Sequence, residues 1–143
     1  MNNYKIEEKL MHLPEFIGVF PSDTHCLPRI NNFPCGLVSN LDNHFFPGSH
    51  WVAMYFNSKN DVDYFDSYGN PPIIPSHLEF MWKYSKNVFY NSKKVQGPFS
   101  TTCGGHCINF ISLKSQGYSL EKIANSYSDN KELNDSVIYK KFH

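Results

Sequence analysis

The sequence predicts an α+β domain: a small mixed or antiparallel sheet flanked by helices. Two observations lead there. Strand-like segments cluster between residues 17 and 68, and helix-like segments crowd the stretch from residue 103 onward. Strands grouped first and helices grouped afterwards mark α+β rather than an alternating α/β chain. A third observation sets the scale. The 143 residues are 41% hydrophobic and 16% aromatic, which suits one core and a single domain over residues 1–143. With 18% charged residues, a disordered composition is excluded.

Each element follows from its own pattern. Tyr4, Ile6, Leu10 and Leu13 space an amphipathic helix over Tyr4–Leu13. The Pro- and Asn-rich stretch Pro14–Pro34 reads as loop, with a short strand at Ile17–Phe20. Gly36–Leu41 reads as a strand. His50–Asn57 and Val62–Tyr68 are β-branched and aromatic, and the polar Ser58-Lys59-Asn60-Asp61 between them predicts a hairpin. Gly69-Asn70-Pro71-Pro72 closes that unit. Pro75-Ser76 starts a helix, and Asn87–Tyr90 is a further strand candidate. A helix is expected over Cys103–Gln116, stopped by Gly117. Ser119 caps the next one, and residues 130–141 suit a last one.

The 13 basic and 13 acidic residues cancel, so no global pull on nucleic acid or on an anionic membrane is expected. No apolar run reaches the roughly 18 residues of a membrane span. The polar segment Met1–Leu10 lacks the apolar heart of a signal peptide. Cys26, Cys35, Cys103 and Cys107 are therefore expected as reduced thiols in an intracellular protein, or in a particle assembled inside a cell.

Cys103 is the first candidate for chemistry. A thiol at a helix start faces unpaired N–H groups and the positive end of the helix dipole, and both favour the thiolate. Ser100, Thr101 and Thr102 before it are cap-type residues, and Gly104-Gly105 after it are poor helix formers. Glycines beside a nucleophile let a substrate backbone approach and leave N–H groups for an oxyanion. Cys107, one turn on, reads as a buried hydrophobe. The thiol needs a base. Of the seven histidines, His50 opens an apolar strand just after Pro47-Gly48-Ser49, while His106 shares the helix with Cys103 and would more naturally point back along the surface. Asp66, inside an aromatic run, would either orient His50 from a partner strand or cap the turn at Gly69. Gln96 offers an amide donor ahead of the nucleophile.

In this order the residues resemble the adenovirus proteases. Gln96-Gly97-Pro98-Phe99-Ser100-Thr101-Thr102-Cys103-Gly104 resembles their nucleophile segment, with the Gln seven positions before the Cys. Gly48-Ser49-His50-Trp51 resembles their His-Trp pair, and Tyr64-Phe65-Asp66-Ser67-Tyr68-Gly69 their acid-bearing strand, sixteen residues beyond the His. The resemblance spans roughly residues 14 to 113. It implies a papain-type cysteine protease fold with Cys103 as nucleophile at the N-terminus of a central helix, and His50 as its base. Asp66 then orients the His, and Gln96 lines the oxyanion hole with the backbone N–H of Cys103. It also implies cleavage after small residues, Gly-Gly or Gly-X-Gly, with Trp51 and Gly104 as walls of a narrow cleft.

The chain departs from that pattern in places. The acid is Asp where the adenovirus enzymes have Glu. Asp-Ser-aromatic-Gly is also similar to the SUMO-specific and ubiquitin-like proteases of the same fold, which have Asp-Cys-Gly where this chain has Thr-Cys-Gly. No cysteine lies near Ser85, where a disulfide-tethered activating peptide would attach. The short chain looks most like the proteases of polinton-type transposons, virophages and related DNA viruses. The resemblance therefore implies a monomer, with no metal or other cofactor, that acts on protein substrates such as viral capsid precursors. A peptide activator remains a candidate partner, and neutral net charge argues against activation by DNA. The competing readings are removal of ubiquitin or a ubiquitin-like modifier, and a non-enzymatic zinc module using Cys26, Cys35, Cys103, Cys107, His25 and His106.

Overall fold

A computed structural model describes residues 1–41, 50–98 and 100–143. Helix α1 (Asn3–Leu10) is capped by Asn2, whose side chain accepts the Lys5 N–H at 3.0 Å. It leads into β1 (Phe16–Phe20), a single 3₁₀ turn (Thr24–Cys26) and β2 (Cys35–Asn40). The predicted hairpin is present as β3 (Trp51–Phe56) and β4 (Asp61–Phe65), so Asp66, Ser67 and Tyr68 lie in the turn beyond the strand. Then come α2 (Pro75–Tyr84), β5 (Asn87–Tyr90), α3 (Cys103–Ser115), α4 (Leu120–Asn125) and α5 (Lys131–Phe142).

The strands form one five-stranded mixed sheet in sequence order. β2, β3 and β4 pair antiparallel, whereas β1 runs parallel to β2 and β5 parallel to β4. Parallel neighbours need a crossover connection, and α2 supplies the one between β4 and β5.

Alternation along β3 explains why its strand reads as almost continuously apolar. Val52, Met54 and Phe56 face a cluster that includes Phe80 and Met81 of α2. Ala53 and Tyr55 face the opposite cluster, with Ile6 and Leu10 of α1, Cys107, Phe110 and Ile111 of α3, and Ile138 of α5. A sheet covered on both faces has no solvent side to carry polar residues.

Helix α3 is the pivot of this second layer, and every residue from Cys103 through Ile111 is buried. Its far end is tied down by a buried ion pair: Lys114 Nζ lies 2.8 Å from Asp63 on β4. Its near end lies where β3 begins and β4 ends. The antiparallel register Ala53↔Phe65, continued three steps, sets His50 across from Tyr68. Among the described residues no helix is long and apolar enough to cross a membrane.

Candidate active site

The site grows from that shared sheet end. His50 is 8% exposed, immediately before β3. Its Nε2–H donates to Asp66 Oδ1 at 2.7 Å, and its ring stacks on Tyr68 at a centroid distance of 4.8 Å. Cys103, at the start of α3, lies close enough to the same imidazole for the two to shift each other's pKa. Asp66, His50 and Cys103 are thus brought together, buried, from the end of β4, the start of β3 and the start of α3.

Asp66 is held at both backbone and side chain. Asn91 accepts the Asp66 N–H at 3.0 Å and donates to its carbonyl at 2.7 Å. The carboxylate also accepts the Tyr68 N–H at 2.8 Å, and the Asp66 carbonyl accepts the Gly69 N–H at 2.8 Å. One carboxylate oxygen thus meets both the turn, through the Tyr68 N–H, and His50. The turn needs glycine at 69. Its φ is +74°, and a side chain there would strike the backbone at Ser92 and Lys94 at 2.9 Å.

The charges follow from these contacts. Burial works to lower the His50 pKa, but the hydrogen bond to Asp66 and the neighbouring Cys103 outweigh it and raise it to about 9. Burial alone would raise the Cys103 thiol. The nearby His50 imidazolium and the backbone N–H groups of Trp51 and Gly104 together bring it below its ordinary value. The other two buried cysteines move the opposite way: burial pushes Cys35 up to about 11, and Cys107 goes up as well. Cys103 is thus the buried cysteine placed to be a thiolate beside an imidazolium, a pair able to attack a carbonyl and then protonate the leaving amine.

Gln96 is 1% exposed and fixed before any substrate arrives. Ser67 Oγ–H donates to its Oε1, and its backbone N–H reaches the Ser67 carbonyl at 3.1 Å. Its Nε2 donates one hydrogen to the Ser100 carbonyl at 3.0 Å. An amide nitrogen carries two hydrogens, so one has no partner among the described residues.

Several residues sit differently from the sequence expectation. The missing side chain of Gly104 does not face a cleft; a β-carbon there would lie 3.0 Å from Met1 Sδ and 3.3 Å from Ile6 Cδ1. At Gly105 it would lie 2.6 Å from Ile138 Cγ2. The two glycines let α1 and α5 close on the first turn of α3, and what Gly104 offers Cys103 is its N–H. Trp51 likewise reaches the sulfur through its backbone, while its half-buried ring packs on the core of the α3 layer. Thr102 does not cap α3 with its side chain. His106, expected to lean along the surface, is fully buried and faces Tyr127 and Asp135. Of the zinc-module candidates, Cys103 and His106 are engaged here, and the described donors that converge are Asp23, His25 and Cys26 in the 3₁₀ turn. Gly48, Ser49 and Phe99 of the family-like motifs lie outside the described residues.

Asn91, Tyr68 and the Ser67 hydroxyl were missed as members of the site. Ser67 and Tyr68 lay in a motif already singled out; Asn91 sat in a polar turn with no signal of its own.

No protein-family model matches the chain. It is 27% identical over 113 residues to R355 of Acanthamoeba polyphaga mimivirus, which is named provisionally as a thiol protease; the match covers 68% of this chain and 35% of R355. Its structure superposes on the ASFV pS273R protease with a TM-score of 0.65 at 18% identity, covering 96% of this chain and 65% of that one. The central domain of an uncharacterized Legionella pneumophila protein, Lpg1148, matches at a TM-score of 0.61 and 13% identity, over 99% of this chain and 93% of that one. The chain therefore shares its fold with the pS273R protease. The chain spans about a third of R355 and just under two thirds of the pS273R chain.

Proposed function

We propose that the chain is a cysteine endopeptidase with Cys103 as nucleophile, His50 as base and acid, Asp66 as orienting carboxylate and Gln96 as oxyanion donor. The grouping of Asp66, His50 and Cys103 carries this reading: a 2.7 Å carboxylate–imidazole bond, and beside that imidazole a buried thiol at a helix start whose pKa it lowers. The thiolate adds to the scissile carbonyl, the oxyanion is met by Gln96 Nε2–H and the Cys103 N–H, and His50 protonates the departing amine. Water then hydrolyses the thioester, returning the sulfur and releasing the acid. The name of R355 and the pS273R protease fold support the same chemistry.

The substrates follow from the motif resemblance. They are precursor proteins of a virion or a transposon particle, cut after Gly-Gly or Gly-X-Gly, and the enzyme is packaged with them. Two probes test this in parallel: a Gly-Gly peptide ending in a vinyl electrophile, and a ubiquitin-like modifier ending in the same group. The peptide is expected to label wild type at Cys103 and to leave Cys103→Ala unlabelled. Labelling by the folded modifier alone would make the chain a deconjugating protease. Labelling by neither, with a Cys103 no more reactive than a free thiol, would remove the assignment.

A further inference from the structure

The segment from Gln96 to Cys103 carries both the proposed oxyanion donor and the proposed nucleophile, and its own hydrogen bonds centre on Ser100, which meets Gln96, Gly97 and Thr102. Besides Ser67, its anchors come from α5, a helix that supplies no part of the group described above. Asp135 receives three donors from three points of the nucleophile segment. The Gly97 N–H reaches Oδ2 at 2.9 Å, and the Thr102 hydroxyl and His106 Nε2–H reach Oδ1 at 2.8 and 3.0 Å. The preceding residue, Asn134, donates from Nδ2 to the Val95 carbonyl at 3.1 Å. Gln96 is thus gripped on both sides in sequence by neighbouring side chains of one helical turn.

The network behind Asp135 has a single consistent direction. Lys141 Nζ donates to Asn109 Oδ1 at 3.2 Å, and Asn109 Nδ2 to the Tyr127 hydroxyl at 3.2 Å. Tyr127 O–H then donates to His106 Nδ1 at 3.0 Å, which leaves Nε2–H of a neutral ring for Asp135. His106 is 0% exposed, and burial holds its pKa below the ordinary value, which suits that neutral ring. Every donor points towards the carboxylate, so the acceptor end of the chain of bonds is fixed at the base of the loop.

The geometry points to Asp135 as a positioning residue for the proposed hydrolysis: it ties Gly97 and Thr102 to α5, and so sets the distance between Gln96 and Cys103. This role rests on the endopeptidase reading. Ser100 links it to the amide directly, because its hydroxyl pairs with Thr102 Oγ1 at 2.6 Å while its carbonyl accepts from Gln96 Nε2 at 3.0 Å. Asn in place of Asp135 would turn an N–H₂ towards at least one of three donors. One donor must then be released, and the loop end it holds moves with it.

The test measures kcat and KM on a Gly-Gly peptide, together with Cys103 alkylation by iodoacetamide against pH, for wild type and Asp135→Asn. Alkylation needs the thiolate but no oxyanion hole. A misplaced oxyanion donor is expected to lower kcat by about 10- to 100-fold with KM within about twofold. The alkylation rate and its pH midpoint stay within about twofold of wild type on the same reasoning. A residue that only stabilises the fold would leave kcat unchanged below the melting transition. If Asp135→Asn fails to fold by circular dichroism, Thr102→Val carries the test: it removes one donor and is expected to lower kcat by about 3- to 30-fold. An active wild type with an equally active variant, or a variant whose alkylation falls as far as its kcat, overturns the role of Asp135 alone. A wild type that alkylates but cleaves no peptide overturns the endopeptidase reading and this role with it.

Discussion

Gly105→Ala adds one carbon where α5 leaves no room for it. The new β-carbon would stand 2.6 Å from Ile138 Cγ2, about 1 Å inside the separation at which two carbons attract. Ile138 is β-branched and 3% exposed, so its methyl group has few places to go. The helix must retreat by something near that 1 Å. The same change at Gly104 meets Met1 Sδ at 3.0 Å and Ile6 Cδ1 at 3.3 Å, the ends of two side chains that need give only a few tenths of an ångström. In both cases alanine removes a helical glycine, worth about 1 kcal/mol in its favour. Gly105→Ala is therefore expected to lose about 1–3 kcal/mol net, and Gly104→Ala to stay within ~0.5 kcal/mol of wild type. Urea unfolding followed by circular dichroism reads both, the midpoint falling while the slope is unchanged. Asp135 sits three residues before Ile138 on the same helix, so Gly105→Ala should also slow peptide cleavage at temperatures where it is folded. A Gly105→Ala protein as stable as Gly104→Ala would refute the claim that α5 sets this spacing.

Other expectations follow from the same geometry. Gln96→Ala should lower kcat by about 10- to 1,000-fold, the value of one oxyanion donor; an unchanged kcat in a peptide assay would take Gln96 out of the site. The cleavage rate should rise with pH as Cys103, below its ordinary value, loses its proton, and fall as His50 loses its own near about 9. Asp66→Asn should bring the alkaline limb to lower pH, because Asp66 helps to raise His50; a limb that does not move contradicts that cause. The same raised pKa makes His50 a source of stability, fully present below its unfolded value near 6.5 and lost as pH climbs through about 9. Lys114→Met leaves the Asp63 carboxylate buried without its cation, 8% exposed at the side chain. It should cost about 3–5 kcal/mol, and a thermal shift corresponding to less than 1 kcal/mol would show that water or Asn57 suffices for Asp63.

How much of this could be read from the sequence depends on how local each signal was. The start of α3 at Cys103 was legible because hydroxyl residues before it and an apolar helical spacing after it occupy one short window. The order His50, Asp66, Gln96, Cys103 was legible because each stands in a motif of several residues. What failed involved partners far away along the chain. Gly104 and Gly105 were read as making room for a substrate, but the neighbours that need the room are α1 and α5. His106 was read as surface-facing because helix periodicity does not reveal that α3 is covered on all sides. The parallel pairing of β1 and β5 was hidden for a related reason: strand pattern identifies a strand and not its neighbour. Asp135 gave no signal at all. An acidic residue in a charged terminal helix is usually a solvated one, and only the loop folded against it distinguishes it.

That loop's dependence on α5 also sets an order of events during synthesis. His50, Asp66, Gln96 and Cys103 all leave the ribosome before Asn134 and Asp135. On the proposed endopeptidase reading, a nascent chain carries all four groups while the segment between two of them still lacks its anchor, so competence to cut would arrive with the docking of α5 rather than with the appearance of the nucleophile.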